Sequence, residues 1–297
     1  MSARLAPAHA ALALAVVAIW GTNFVVIKVG LRELPPTLFA TLRFVFCAIP
    51  FIAFLKRPPV RWRWLAAYGL LLGPGQFGLL FYAMRSDIAP GLASLVIQMQ
   101  VFFTIGLSVA LFRERMARAT TVGCIVSVIG LALIALHVDA SVTHAGVAMV
   151  LAAALAWAGA NTVVKAAARE SSQRIDMVAF IAWSSLFAAP PLIAISLLLD
   201  GGHADLAALR DATWVGWSAV AWQAIGNTLF AFAVWSWLLT RYDAAVISPW
   251  ALLIPVFGIA SSAWILGEPL DAWKVTACGL VFAGIAIHAL GALRRPG

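Results

Sequence analysis

Charged side chains are scarce in this sequence. Lys, Arg, Asp and Glu make up 11% of the 297 residues, whereas hydrophobic residues make up 63%. A soluble domain contains about 25% charged residues, and so few charges could not cover the surface of a globule of this length in water. The composition therefore excludes an ordinary soluble protein and predicts an integral membrane protein, because lipid tolerates apolar surface.

Cysteine is also rare, and its spacing excludes several site chemistries. Cys47, Cys124 and Cys278 each stand alone within an apolar run, without the pairing that a disulfide framework or a structural metal site needs. The sequence contains no His-Glu-x-x-His motif, no P-loop and no nucleophile elbow. We therefore expect no catalytic residues, no metal, no cofactor and no enzymatic activity.

Acidic residues number only 12, and all of them fall in connecting segments or at the ends of apolar runs. Proton-coupled carriers commonly keep a titratable side chain inside the bilayer, where it takes up and releases the proton. The lack of such a carboxylate favours a facilitator or a weakly coupled carrier over a proton-driven pump.

Ten long apolar runs fill most of the chain. Crossing a hydrocarbon core of about 30 Å takes about 20 apolar residues, so each run is predicted to be a transmembrane helix, here called a span. The predicted spans are Ala8–Gly30, Thr37–Leu55, Trp62–Met84, Gly91–Phe112, Ala119–His137, Ala145–Ala168, Met177–Leu199, Thr213–Thr240, Ala244–Leu266 and Ala272–Leu293.

Basic residues are distributed unequally between the two sets of loops. If the N-terminus lies in the cytoplasm, 14 of the 20 Lys and Arg residues fall on the cytoplasmic side and five on the other, while Arg43 lies inside the second span. This bias predicts that both termini are cytoplasmic. Because the basic residues are dispersed over short loops, the net charge of +8 indicates contact with lipid headgroups and not with nucleic acid.

The two halves of the sequence share a pattern. Trp20 and Lys28 in the first span are eight residues apart, as are Trp157 and Lys165 in the sixth. A shift of 154 residues also superposes Ser94 on Ser248, Glu114 on Glu268, and Gly130 on Gly284. These matches predict a duplication with halves at residues 1–140 and 141–297. With five spans in each half, the second copy must cross the membrane in the opposite direction, which gives two inverted five-helix repeats around a central cavity.

Several motifs resemble a known family. They are Trp20-Gly21-Thr22-Asn23 with the residues through Gly30, Leu34-Pro35-Pro36, Leu42-Arg43-Phe44, Gly91-Leu92-Ala93-Ser94-Leu95-Val96, and the Gly-Glu-x-Leu motif at Gly267 to Leu270. Together they resemble the EamA family of the drug/metabolite transporter superfamily, and the resemblance covers essentially the whole chain. The run from Gln98 to Thr104 is most similar to EamA-type exporters of amino acids and their metabolites.

The resemblance implies a function and a location. It implies export of amino acids and related small metabolites across a bacterial-type inner membrane by alternating access, with no partner beyond the small-molecule substrate and lipid, and we expect a monomer. Many family members have a proline near the position of Val101, whereas this chain has the corresponding proline only in its second half, at Pro255.

Amide and aromatic side chains within the spans are the candidate substrate-binding groups. Amides facing lipid would be penalised, so several of them on different spans indicate a wet cavity that suits a zwitterion, although each one could instead hydrogen-bond a neighbouring helix. The candidates are Trp20, Asn23, Gln76, Tyr82, Gln98, Gln100, Trp157, Asn161, Trp183, Gln223 and Asn227. In the third span, Gly73-Pro74-Gly75 beside Gln76 predicts an interrupted helix.

Three alternatives stay open at this point. A nucleotide-sugar or triose-phosphate carrier of the same superfamily would need several basic residues inside the membrane, and Arg43 is the clear instance. A drug exporter would have the same architecture. A channel with a polar lumen would also contain amides, but inverted repeats favour alternating access.

Overall fold

The protein is nearly all helical. The computed structural model describes residues 6–113, 118–137, 142–171, 173–241 and 248–293. Within these ranges there is no β-strand, and the one extended pairing is an isolated bridge between Ile88 and Val142. Spans rich in alanine, leucine and valine satisfy their backbone hydrogen bonds internally, as a chain in lipid must.

Ten helical spans follow one another in the described residues. By length and composition alone, five of the helices are long and apolar enough to cross a membrane, and shorter apolar helices accompany them. In chain order the spans are Pro7–Gly30; Pro36–Ile52; Trp62–Leu70 with Leu71–Gly78 and Leu79–Ser86; Pro90–Val96 with Ile97–Met99 and Gln100–Phe112; Arg118–Leu136; His144–Glu170; Met177–Leu199; Trp214–Ala221 with Trp222–Phe230 and Ala231–Arg241; Ser248–Leu253 with Ile254–Leu266; and Ala272–Leu293.

Local sequence signals set the beginnings of several spans. Prolines occupy the first turn of the first, second and fourth spans, where the missing backbone N–H costs nothing. Asp176 caps the seventh span by accepting hydrogen bonds from Val178 and Ala179. The predicted limits agree to within a few residues, and the predicted start of the ninth span at Ala244 lies outside the described residues.

One helix is absent from the sequence prediction. Gly202–Asp211 forms a short helix between the seventh and eighth spans, a stretch that hydropathy treats as a connecting segment because its polar residues prevent it from scoring as a span. Gly201 precedes it with a φ of 83°, a left-handed conformation that glycine adopts without strain. A side chain at position 201 would strain the backbone.

The packing of the spans follows a twofold pattern. The first span packs against the eighth and ninth, and the sixth packs against the third and fourth. The second span packs against the seventh, and the fifth against the tenth. Each contact is thus matched by its counterpart when every span is replaced by the one five places away in the chain. The fifth and tenth spans approach closely at Gly130 and Gly284, where added Cβ atoms would collide with the partner helix.

Helical geometry changes inside four spans. The third and eighth spans contain π-helical segments, at Leu71–Gly78 and Trp222–Phe230, and the fourth and ninth contain 3-10 turns, at Ile97–Met99 and Ser248–Leu253. The predicted interruption at Pro74 is thus a wider helical turn and not a break, because a π-helical turn accommodates the proline ring without ending the helix. Such segments are frequent at functional sites.

Candidate substrate cavity

A narrow cavity lies between the two halves of the bundle. Its volume is about 50 Å³, enough for a few water molecules and well below the roughly 300–1,000 Å³ of a typical ligand pocket. Five spans of the two halves supply most of the wall: the first, third, fourth, sixth and eighth. The lining residues are Trp20, Asn23, Phe24, Ile27, Leu72, Gln76, Phe77, Leu80, Ile97, Gln98, Trp157, Asn227, Phe232 and Ile254.

Six of the sequence candidates meet at this cavity. Trp20, Asn23, Gln76, Gln98, Trp157 and Asn227 all line it. The structure thus brings together residues that are as far as 207 positions apart in the chain, since the Trp20 indole N–H donates to the backbone carbonyl of Asn227 at 3.3 Å. Trp20 also contacts Phe232 and Trp235 through ring centroids 5.1 and 5.3 Å apart. Aromatic rings and amides thus both contribute to the cavity wall.

Arg43 lies directly behind the amide wall. Its side chain is fully buried, and its Nη1 donates to Gln223 Oε1 at 2.5 Å. Gln223 Nε2 in turn donates to Asn23 Oδ1 at 2.8 Å. Gln223, a sequence candidate, is thus one layer behind the cavity and links Arg43 to Asn23.

Asn227 completes this network from the π-helical segment of the eighth span. In the amide orientation that satisfies both side chains, its oxygen accepts from Arg43 Nη1 and Nη2 at 3.1 Å each. The guanidinium also lies over the ring of Phe77, with 3.6 Å between Cζ and the ring centroid, a cation–π geometry. Arg43 is therefore held by neutral groups on three sides.

Gln76 and Gln98 contribute to the wall in different ways. Gln76 is carried on the π-helical segment of the third span, and among the described residues its Oε1 has no hydrogen-bond partner although it is buried. Gln98 donates through Nε2 to the Ala251 carbonyl at 3.4 Å, joining the 3-10 turns of the fourth and ninth spans. A buried amide oxygen without a donor is an acceptor available to a ligand or to water.

Gln100 and Asn161 form a second polar cluster. Asn161 Nδ2 lies 3.2 Å from Gln100 Oε1 and 3.3 Å from Thr104 Oγ1. The two amides are partly buried and are not among the residues that line the cavity. They link the fourth and sixth spans beside it, which is the structural role that any single amide within a span could have.

Two sequence candidates lie away from the cavity. Tyr82 is 43% exposed on the outer surface of the bundle, because it follows Gln76 by six residues and a helix turns by more than one and a half turns over that distance. Trp183 donates to the Leu55 carbonyl at 3.0 Å and contacts the ring of Trp62, at the opposite end of the bundle from Lys28. Neither side chain is among those that line the cavity.

Arg43 contacts two of the candidate amides but is not itself among the sequence candidates. Its position inside an apolar span was visible in the sequence, and an ionisable residue within a span is commonly functional. The sequence did not show that Gln223 and Asn227 would meet it, because that arrangement depends on how the second and eighth spans are rotated. Of the described carboxylates, none is within ion-pair distance of Arg43.

Polar contacts close the bundle at the end that contains Lys28. Lys28 Nζ donates to the carbonyls of Met84 and Arg85 at 2.8 and 3.0 Å, and Asp200 accepts from Thr37 and lies 3.8 Å from Arg85. At the same end Glu268 accepts from the Gly91 N–H at 3.3 Å. These contacts tie the first, second, third, fourth and seventh spans and the ninth-to-tenth loop together above the cavity.

Burial raises the pKa of the Glu268 carboxyl above its ordinary value, and the Gly91 N–H and the lysines at positions 274 and 28 oppose this shift. Lys274 itself pairs with Asp271 at 3.0 Å. The Glu268 carboxylate thus caps the N-terminus of the fourth span through a hydrogen bond, while Lys274 forms its ion pair with Asp271.

The opposite end carries basic and aromatic side chains. Glu170 pairs with Arg61 and Arg63 at 2.6 and 2.5 Å and accepts from the Trp64 indole at 3.1 Å. This cluster joins the sixth span to the start of the third. In the part of the chain that the structure describes, no group of three or more His, Cys, Asp or Glu residues could hold a metal ion.

Comparison with known proteins gives the same architecture. The model of the EamA-like transporter family matches residues 8–136 and 144–290, which together span nearly the whole chain in two segments. A solved crystal structure superposes with a TM-score of 0.62 over 97% of this chain and 99% of its own, at 19% identity. That likeness shows a shared fold.

Curated relatives extend over the full length. A protein of Salmonella typhimurium is 38% identical over 94% of each chain, and one of Escherichia coli K12 is 37% identical over the same shares; each is named "Probable amino-acid metabolite efflux pump". The uncharacterized transporter YoaV of Bacillus subtilis is 29% identical over 95% of this chain and 97% of its own. The apolar helices, the two matched segments and these relatives establish a multi-pass membrane protein, and the chain belongs to the EamA-like transporter family.

Proposed function

We propose that this protein exports amino acids and related small metabolites from the cytoplasm by alternating access. The observation that carries the proposal is a cavity between the two halves to whose mostly apolar wall four amides and two tryptophans contribute, in a chain similar over nearly its full length to proteins named as amino-acid metabolite efflux pumps. Amides offer both donors and acceptors, as a zwitterion requires. The protein acts as a carrier without enzymatic chemistry.

The proposed site consists of the candidates that meet at the cavity, with two flanking groups. Trp20, Asn23, Gln76, Gln98, Trp157 and Asn227 contact the substrate, and Gln223 supports them from behind. Gln100 and Asn161 form a polar cluster beside the cavity. This assignment leaves out Tyr82 and Trp183, which lie elsewhere on the bundle.

The matched packing of the halves supports alternating access. We propose that residues 1–140 and 141–297 are inverted repeats, which is supported by the paired π-helical segments of the third and eighth spans and the paired 3-10 turns of the fourth and ninth. Two oppositely oriented bundles can exchange conformations around a fixed site. A cavity of about 50 Å³ is too small for an amino acid, so the walls must separate to load it.

The charge bias of the loops supports the orientation. With both termini in the cytoplasm of a bacterial-type cell, the Lys28 end faces outward and the end with Arg61, Arg63 and Glu170 faces inward. The contacts of Lys28, Asp200 and Glu268 then form the outer closure of the transport path. No acidic residue lines the cavity among the described residues, which favours a facilitator or a weakly coupled carrier. We propose that the carrier is active as a monomer.

Transport by the purified protein in liposomes tests the proposal. A panel of radiolabelled amino acids is offered to proteoliposomes with and without internal unlabelled amino acid, and with and without a pH gradient. We expect saturable uptake that internal substrate accelerates and that reaches equilibrium without a gradient. Uptake equal to that of empty liposomes for every amino acid would refute the substrate class, and unsaturable ion currents would favour a channel.

A further inference from the structure

The guanidinium of Arg43 carries a charge that none of the described carboxylates neutralises. It is fully buried, and its contacts with Gln223, Asn227 and Phe77 are all to neutral groups. Its Nε has no hydrogen-bond partner among the described residues. An unpaired cation inside a membrane bundle is costly and is usually found where it meets a counter-ion on a transport path.

The hydrogen bonds around Arg43 have a fixed direction. An arginine donates only, so Gln223 must present its oxygen to Arg43, and its nitrogen then donates to the oxygen of Asn23. Asn23 is left with its Nδ2 as the polar group for the cavity. Arg43 therefore fixes the orientation of two amides in turn, first that of Gln223 and then that of Asn23 in the cavity wall.

Arg43 orients the Asn227 amide by direct contact. Its oxygen faces Arg43, so its Nδ2 is the group that remains for the cavity it lines. The Nδ2 groups of Asn23 and Asn227 are thus two donors in the wall of one cavity, and Arg43 orients both amides. Donors supported by a cation bind a carboxylate more strongly than a neutral oxygen.

An acceptor lies elsewhere on the same wall. The Oε1 of Gln76 is buried without a partner in the described part of the chain, and Gln76 lines the cavity together with Asn23 and Asn227. An ammonium group donates only and would satisfy this oxygen. The cavity wall therefore contains both kinds of group, amide donors oriented by Arg43 and an acceptor on the π-helical segment of the third span.

We propose that Arg43, acting through Gln223, Asn23 and Asn227, makes the cavity selective for the carboxylate of its substrate, with the substrate ammonium group at Gln76. Arg43 is a positioning residue, since the amides contact the substrate and the guanidinium orients and charges them. The inference rests on the proposed export of amino acids and narrows it to substrates with a free α-carboxylate. An uncharged drug or an amine lacking a carboxylate would leave Arg43 without a counter-ion.

The test compares each amino acid with its α-carboxamide in proteoliposomes. The carboxamide keeps the ammonium group and the side chain but loses the negative charge. We expect the unsubstituted protein to transport the carboxylate at least about tenfold more efficiently than the carboxamide, since hydrogen bonds to charged groups are roughly twice as strong as neutral ones. In Arg43→Gln this ratio should fall by about tenfold or more, whereas a merely structural role would lower transport of both compounds equally.

Gln223→Glu keeps the test decisive if Arg43→Gln does not fold. Glutamate has nearly the shape of glutamine and would give Arg43 a permanent counter-ion 2.5 Å away, so the bundle should remain intact while the carboxylate preference is lost. Arg57→Gln is the matched control, because it removes the same charge at an exposed position and should leave the ratio unchanged.

The outcomes separate this inference from the proposed function. A Gln223→Glu protein that retains the original preference for the carboxylate would overturn the inference, as would an unsubstituted protein that transports both compounds equally well. In either case amino-acid transport itself would stand. Failure of the unsubstituted protein to transport any amino acid would instead refute the proposed function.

Discussion

Glu33 and Thr213 join the first-to-second loop to the start of the eighth span. The Thr213 N–H donates to Glu33 Oε2 and the Thr213 hydroxyl donates to Glu33 Oε1, both at 2.8 Å. Oε2 also accepts from the Gly216 N–H at 3.2 Å. A carboxylate at a helix N-terminus satisfies backbone donors that have no helical partner and interacts favourably with the helix dipole. The two halves of the bundle are thus fastened at the Lys28 end by a helix cap supplied from the other half.

This cap predicts a pH-dependent contribution of Glu33 to stability. The Thr213 hydroxyl, followed by the Thr213 and Gly216 N–H groups, holds the pKa of Glu33 below its ordinary value of 4.5. A carboxyl with a depressed pKa in the folded state stabilises fully above its unfolded pKa, and the contribution is lost as the pH falls through the folded pKa. We expect Glu33→Gln to melt at a lower temperature than the unsubstituted protein at pH 7 in detergent.

The difference in melting temperature should shrink as the pH is lowered below the ordinary glutamate range. Asp211→Asn is a matched control, since it removes a carboxylate from the same end of the bundle. Its melting temperature should differ little from that of the unsubstituted protein at pH 7. An equal melting temperature for Glu33→Gln and the unsubstituted protein at pH 7 would contradict this role of Glu33.

Close packing of the fifth and tenth spans predicts a strong effect at Gly284. A Cβ atom there would overlap with Ser127 Oγ and the Gly123 carbonyl oxygen, whereas a Cβ atom at Gly279 in the same span would meet nothing within 4 Å. Gly284→Ala should destabilise the protein by about 1–3 kcal/mol through overpacking. Gly279→Ala should be neutral or slightly stabilising because alanine favours a helix. Thermal unfolding in detergent distinguishes the two, and equal melting temperatures would argue against the close approach.

The cavity wall predicts different effects for two aromatic candidates. Trp157 lines the cavity, so Trp157→Ala should weaken substrate affinity by about tenfold or more, as the loss of a large aromatic contact usually does. Tyr82→Phe should leave transport unchanged because the side chain lies on the outer surface. The KM for proteoliposome uptake measures both. A larger effect of Tyr82→Phe than of Trp157→Ala would place the substrate elsewhere.

Much of the fold could be predicted because lipid imposes one requirement on every span. Each span must be apolar and internally hydrogen-bonded, so hydropathy found even the limits of the seventh span, Met177–Leu199, without error. The helix Gly202–Asp211 escaped detection because outside the membrane no such requirement applies. The chain of amides around Arg43 was harder to predict, since hydropathy does not report how a span is rotated about its axis.

The sequence predicted which kinds of side chain meet at the cavity better than it predicted which individual residues line it. Polar side chains in apolar spans had to face the interior, and four of the seven amides line the cavity together with Trp20 and Trp157. The π-helical segment at Trp222–Phe230 contains no proline that would have predicted it. Gln223 and Asn227 both lie on this segment and contact Arg43. Tyr82 and Gln76 lie on one span, but their different faces follow from the helical rotation between them.

The proposed orientation predicts which surface positions react with a membrane-impermeant thiol reagent. His203 on the helix Gly202–Asp211 and Lys56 between the second and third spans are both exposed, and the proposal puts them on opposite sides of the membrane. Each is replaced by cysteine in a background whose three native cysteines are changed to alanine. In intact cells, His203→Cys should be labelled by an impermeant maleimide, whereas Lys56→Cys should be labelled only after the membrane is permeabilised. The reverse result would place both termini outside and make the Lys28 end the cytoplasmic closure, because the loops alternate sides along the chain. The direction of labelling thus decides whether the contacts of Lys28, Asp200 and Glu268 must open for substrate to leave the cell or to be loaded from it.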